Sequence, residues 1–315
     1  MNLQTKIPLQ KQESNLINYN SKVFLLGSCF AENIGEKFEY FKFQHYVNPF
    51  GILFHPVAIH NLVINALSGK KYADTDVFLN NEQFHSFDAH SKLSQHTKSL
   101  LLHQLNAASQ KTGHYLKQSS HVVITLGTAW IYRYIKTNKI VANCHKIPQQ
   151  QFQKQILGVD VIVAALQAII TEVKKVNPTV NFIFTVSPVR HIKDGFVENT
   201  QSKSHLITAI HKVLGSQSHY FPSYEIMMDE LRDYRFYNQD FIHPSPLAVD
   251  YIWQCFNEVW IADSAEKIMI EVDVVQKGIQ HKPFNPNSEA HLKFREQLQN
   301  KQESLVRRLP YIKFE

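Results

Sequence analysis

Three short runs, "KVFLLG" at 22–27, "HVVITLG" at 121–127 and "NFIFTVSP" at 181–188, constrain this chain more than any other feature. Each is too short for a helix, apolar or β-branched along most of its length, and closed by a loop with polar residues. That is the mark of a strand buried on both faces. Helical periodicities lie between and after them, at 32–41, 56–68, roughly 97–117, 159–176, 200–215 and 246–261. Strand and helix alternating in this way predict an α/β fold, a flavodoxin-like three-layer sandwich with a mostly parallel central sheet.

The segment "AWIYRYIKTNKIVANCH", 129–145, breaks the pattern. Two alternating runs flank Thr137, Asn138 and Lys139, as in a β-hairpin, so it reads as an insertion able to wall a pocket. A weak boundary near 262–266 divides the chain into a main domain, 1–262, and a helical extension, 263–315. Within that extension "HLKFREQLQNKQESLVRRL" is a basic amphipathic helix, expected to dock on the domain or, in a homo-oligomer, on a partner subunit.

Composition narrows the function. A chain of 315 residues, 44% of them hydrophobic, can bury a large core. Its net charge of +6 is spread among acidic residues rather than gathered on one element, which argues against nucleic acid. No stretch approaches the roughly 18 apolar residues of a membrane span, and the N-terminus lacks the apolar core of a secretory signal, so the expected location is the cytoplasm. Three cysteines, Cys29, Cys144 and Cys255, form no C-x-x-C pair, and no metal site or cofactor motif stands out.

Candidate chemistry begins at the end of the first strand. Ser28 follows Gly27 where a helix starts, so its hydroxyl lies near the positive end of a helix dipole. The same position is also the favoured seat of an N-capping serine. Cys29 stands one residue on, about 100° around the helix, so only one of the two can face a given partner; the simpler reading of Cys29 is a small packing residue. A hydroxyl nucleophile needs a base, and the base needs an orienting group. In "YNQDFIHPSPLAVDYIWQCF", 237–256, Asp240 and His243 are three residues apart, close enough for one turn to set the carboxylate against imidazole Nδ1. Ser245 and Pro246 suit the cap and first position of the helix that follows.

"GSCFA" at 27–31 resembles the signature of the GSCFA family, a branch similar to the SGNH, or GDSL-like, hydrolases. There a serine follows the first strand and a D-x-x-H element lies near the C-terminus. "NPFGILFHP" at 48–56, "FHSF" at 84–87, "LGTAWIY" at 126–132, "NCHKIP" at 143–148 and "SPVRH" at 187–191 extend the likeness over roughly residues 20–260. The resemblance implies Ser28 as nucleophile, His243 as general base, Asp240 as its holder, and backbone amides of Ser28 and Gly51 in an oxyanion hole. Where the SGNH pattern has G-x-N-D this chain has Gly127-Thr128-Ala129-Trp130, without the side-chain amide. Asn143 and Asn48 are the candidates to replace it. His85, His145, Arg190 and His191 fall in the matching blocks as candidate substrate contacts, and Trp130, alternating with Tyr132 on the hairpin, offers an aromatic face for a sugar ring.

The expected activity is therefore hydrolysis of an ester, an O-acetyl group on a carbohydrate by fold-level analogy, through Ser28, His243 and Asp240. Two alternatives share the cleft: acyl transfer to a sugar hydroxyl, and a catalytically lapsed module that binds a glycan or acylated ligand.

Overall fold

The computed structural model describes residues 5–314. Strands β1 (Lys22–Gly27), β2 (Gln44–Val47), β5 (His121–Leu126), β9 (Asn181–Val186) and β10 (Ser218–Phe221) form one five-stranded parallel sheet in the order β10-β9-β5-β1-β2. Two antiparallel sheets stand outside it: β3 (Phe78–Asn80) with β4 (Gln83–His85), and β6 (Trp130–Tyr134) between β7 (Lys139–Val141) and β8 (Phe152–Ile156). The expected hairpin is β6–β7. With helix α2 (Pro56–Leu67) it walls a groove of about 910 Å³, lined among others by Val57, Phe78, Ser86 and Arg133.

Side chains alternate across the sheet because successive residues of a strand point to opposite faces. Phe24 and Leu26, Val122, Ile124 and Leu126, and Phe182, Phe184 and Val186 pack under α2, α3 (Lys98–Gln118), α4 (Val159–Val176) and α5 (Phe196–His211). Val23, Leu25, Val123 and Ile183 face α1 (Cys29–Tyr40), the single turn α6 (Ser223–Glu225) with the π-helical turn after it, and α7 (Pro246–Trp260). Both faces of the sheet are covered by helices, so the sheet is the middle layer of three.

Register sets where chemistry can happen. Gly27 pairs with Thr125 and Leu126 with Val186, so β1, β5 and β9 end nearly level at one carboxyl edge. Counting only the parallel strands in chain order, the sheet reads 2-1-3-4-5. In that order the crossovers reverse direction between β1 and β5, and the loops leave a crevice there.

The sequence places α1 from residue 32, whereas the helix begins at Cys29 with Ser28 as its cap. Likewise α5 starts at Phe196 rather than 200. The edge strands β2, "QHYV", and β10, "SHYF", lie outside the expected set, because an edge strand has one neighbour and carries polar residues at no cost. Helix α8 (Asp263–Gln280) pairs with α9 (Glu289–Arg308) around Val272, Val275 and Leu305. Tyr40 Oη donates to Asp273 at 2.9 Å, Tyr311 Oη donates to the carbonyl of Tyr19 at 2.8 Å, and Ile312 is buried in the α1–α7 core, so the extension is fastened to the domain. Among the described residues no helix is long and apolar enough to cross a membrane.

Candidate active site

Gly27 closes β1 with φ +131°, and a Cβ there would lie 2.0 Å from the carbonyl oxygen of Thr125. Only glycine fits, and the chain leaves the sheet at once. Ser28 follows, fully buried. Its Oγ accepts the Phe30 N–H at 3.3 Å, and its own N–H donates to Thr125 O at 3.0 Å. The Ser28 amide is thus committed to β5, and Oγ accepts the cap bond that starts α1. No hydrogen bond joins Ser28 or Cys29 to His243 among the described residues.

Cys29, the first helical residue, is half-buried. Burial, and then Glu32, push its thiol above the ordinary value, against a smaller pull from the amides of Phe30 and Cys29 and the amine of Lys203.

The loop after β2 runs across this turn. Asn48 Oδ1 accepts the Gly27 N–H at 2.9 Å, and Leu53 N–H donates to Gly27 O at 2.9 Å. Phe54 O accepts from the amides of Gly127 and Thr128 at 2.7 and 3.0 Å. Residues 48–54 thus bridge the ends of β1 and β5. Asn48 Nδ2 is buried without a partner, so of the two side-chain amides expected near an oxyanion it is the one held beside Gly27. Asn143 instead turns its Oδ1 onto the His145 N–H at 2.8 Å, in a loop of its own. Gly51, at φ +70°, donates its N–H to Asn48 O at 2.8 Å. That amide belongs to a turn, and the oxyanion donor expected at Gly51 is not free.

Asp240 and His243 meet. Asp240 Oδ2 lies 2.6 Å from His243 Nδ1, while Oδ1 accepts the amides of Ile242 and His243 at 2.9 and 3.0 Å. Those amides, and then the imidazole, hold the carboxyl down to about 2. Asn238 N–H to His243 O at 2.8 Å and Arg190 N–H to Ile242 O at 3.2 Å tie this loop to itself and to the segment after β9. Ser245 caps α7 with Pro246 at its start. Both dyad side chains are about half exposed.

His191 stands beside them. Its N–H donates to Asn199 Oδ1, its ring meets Phe54 edge-on, and its Nε2 is buried without a partner. Burial, then the charges of Lys203 and His243, hold its imidazole down to about 3, so it is neutral. Arg190 lies over the rings of Phe196 and Tyr237, each at 5.7 Å.

Three other expected contacts carry hydrogen bonds within the fold. His85 spends Nδ1 on Ser94 Oγ at 2.6 Å and Nε2 on Asn80 O at 3.0 Å, leaving no nitrogen for a substrate. His145 Nε2 bonds Ser86 O at 2.7 Å within the same aromatic cluster. Trp130 Nε1 donates to Glu198 O at 3.1 Å and its ring carries Lys154 Nζ at 4.9 Å, so this indole is packed against α5.

One residue had no place in the sequence reading. Lys203 on α5 is buried, with Nζ 2.8 Å from both Gly127 O and Ser187 O, the carbonyls just past β5 and β9. Burial holds its amine down to about 7, opposed first by Cys29 and then by Glu225. Its neighbour Ser202 accepts the Ala129 N–H at 2.7 Å, so α5 clamps the whole 127–130 segment. In the sequence an isolated lysine on an amphipathic helix signals only a solvated face.

No curated protein matches the chain. A family model described as the GSCFA family matches residues 22–256, and one described as GSCFA domain protein, C-terminal domain, matches 272–315. The first spans β1 to α7 and every element that reaches the carboxyl-edge crevice, so the chain belongs to the GSCFA family.

Proposed function

We propose that this protein cleaves esters at the carboxyl edge of its sheet, in the manner of SGNH hydrolases. The observation that carries the reading is the 2.6 Å contact of Asp240 Oδ2 with His243 Nδ1. Because Nδ1 is committed to the carboxylate, Nε2 is left as the proton acceptor. A nucleophile from the turn between β1 and α1 gives its proton to Nε2 and attacks the ester carbonyl. The oxyanion is met by the unpartnered Asn48 Nδ2 at the positive end of α1. His243 then returns the proton to the departing alcohol, and water releases the acyl group. An O-acetylated carbohydrate is the substrate class we favour, by fold-level analogy.

The test is acetate release from acetylated sugars, or p-nitrophenol release from its acetate, by the wild type and by His243→Ala. A general base contributes about 10²–10⁴-fold, and a loss of that size is expected. Equal rates would discard the reading. The second reading, a binding module on the same cleft, is favoured by the lack of a hydrogen bond from His243 Nε2 to either Ser28 or Cys29. Glycan binding without turnover in the wild type would select it.

A further inference from the structure

We infer that the groove between α2 and the β6–β7 hairpin is a binding site for an acidic oligosaccharide, whose carboxylates are received by Arg133 and the lysines beside it. None of Ser28, Asn48, Asp240 and His243 lines this groove, so its role holds whether or not the carboxyl-edge crevice cleaves esters.

The groove has the size and the lining of a ligand site. Its volume of about 910 Å³ falls within the ~300–1,000 Å³ of small-molecule sites. Phe78, Phe87 and Tyr134, each half-buried, follow one another along it with ring centroids 4.4 and 4.9 Å apart. Such a row offers apolar faces to the C–H side of sugar rings. Opposite the hairpin, Val57, Asn61 and Asn65 recur at four-residue spacing on α2 and so share one face.

Amide side chains line the groove with one end held and the other open. Asn61 Oδ1 accepts from His60 Nδ1 at 3.1 Å, Asn80 Nδ2 donates to His145 O at 2.9 Å, and Gln151 Oε1 accepts from Tyr134 Oη at 3.3 Å. Asn61 Nδ2, Asn80 Oδ1 and Gln151 Nε2 make no hydrogen bond among the described residues. Oriented amides of this kind suit hydroxyl groups, which both donate and accept.

The charge of the groove is unmatched. Lys70, Arg133, Lys136 and Lys139 line it with only two carboxylates, Asp76 and Asp88, and both of those sit on Lys70 Nζ, at 3.0 and 3.3 Å. Arg133, Lys136 and Lys139 make no ion pair among the described residues. Across the hairpin Arg133 pairs with Ile140, whose side chain packs on the core cluster that holds Ile59 and Leu62 of α2. Cross-strand partners share a face, so Arg133 is on the side turned to α2. Its Nη1 donates to Asn138 O at 2.8 Å. That bond holds the guanidinium in place and leaves other donors of its planar fork for a carboxylate, which takes two of them side by side. A neutral glycan would satisfy the amides and rings alone; an acidic one also pairs the cations.

Isothermal titration calorimetry of the full chain at low salt tests this with short oligomers of galacturonate, mannuronate and guluronate. Maltotetraose is the neutral control and poly-glutamate the acidic peptide. At least one uronate is expected to bind about tenfold or more tighter than maltotetraose, the worth of one charge-assisted contact, and to weaken as salt rises. Arg133→Ala loosens that uronate about tenfold. Arg133→Lys, which keeps the charge and loses the fork, loosens it about threefold or more. Lys301→Ala, a cation of α9 outside the groove, leaves it unchanged. Three results in the wild type alone overturn the assignment, even if a variant fails to fold: no uronate binds, maltotetraose binds as tightly, or poly-glutamate binds as tightly. Uronate binding undiminished in folded Arg133→Ala puts the site elsewhere and overturns it as well.

Discussion

Lys203→Met offers the most direct measure of what a buried amine does to this fold. Methionine keeps the length and apolar stem and removes the charge together with the two 2.8 Å bonds to Gly127 O and Ser187 O. Hydrogen bonds from a charged donor are worth about 1.5–3 kcal/mol each, and the desolvation of the ammonium is a cost of the same order. At low pH the two roughly offset. The balance then moves with pH in one direction. An amine with a pKa of about 7 when folded and 10.5 when free binds fewer protons in the native state than in the unfolded state between those values. Stability from this group therefore rises as pH rises from 7 toward 10.5. Integrated from pH 6 to pH 9, the gain is about 2–3 kcal/mol. Urea unfolding of both proteins at pH 6, 7.5 and 9 isolates it, because most other titrations are shared and cancel in the difference. Wild type is expected to pull ahead of Lys203→Met by that amount as pH rises. A difference that stays flat across the range, or shrinks, refutes the account of Lys203 as a buried amine of depressed basicity.

Two further substitutions test the turn and the dyad. Asp240→Asn keeps the shape of the loop but removes the charge that fixes His243 Nδ1, so kcat should fall about 10²-fold or more with KM little changed; an unchanged kcat argues that His243 does not act through Nε2. Gly27→Ala forces a Cβ to 2.0 Å from Thr125 O at φ +131°, and should cost at least about 2 kcal/mol in urea unfolding. Wild-type stability in that variant would mean that the β1–α1 turn is softer than its hydrogen bonds to β5 suggest.

The central strands are legible in the sequence because they are buried on both faces and so apolar along most of their length, whereas β2 and β10 are hidden by the polar residues that an edge tolerates. The Asp240–His243 pair is legible for a different reason: the contact is local, and three residues of spacing nearly dictate it. The bonds of Ser28 are not, because they depend on the path of the turn: only the fold sets its Oγ against the Phe30 N–H and its amide against Thr125 O. Lys203 is the least legible. Its helix shows a single apolar face, and only packing against the sheet edge brings one polar side chain of α5 between the carbonyls of two strands.

The Gly127-Thr128-Ala129-Trp130 segment after β5 carries no side-chain amide, and the path of the chain gives a structural reason. Helix α1 lies on one face of the sheet and α2 on the other, so the connection from β2 to α2 must change layers, and it does so over the carboxyl edge. In crossing, residues 48–54 meet the last turn of β1 through Asn48 and Leu53 and the start of the β5 loop through Phe54. From the far side α5 sends Lys203 to Gly127. Two donors thus reach the β1–β5 crevice from segments that neither strand supplies. A third, from the Gly127-Thr128-Ala129-Trp130 segment, would compete for the space that α5 fills through Ser202 and Lys203. On this view the absence of a side-chain amide from this segment follows from how the second half of the sandwich closes over the edge, and Asn48 and Lys203 are the polar side chains that reach the crevice.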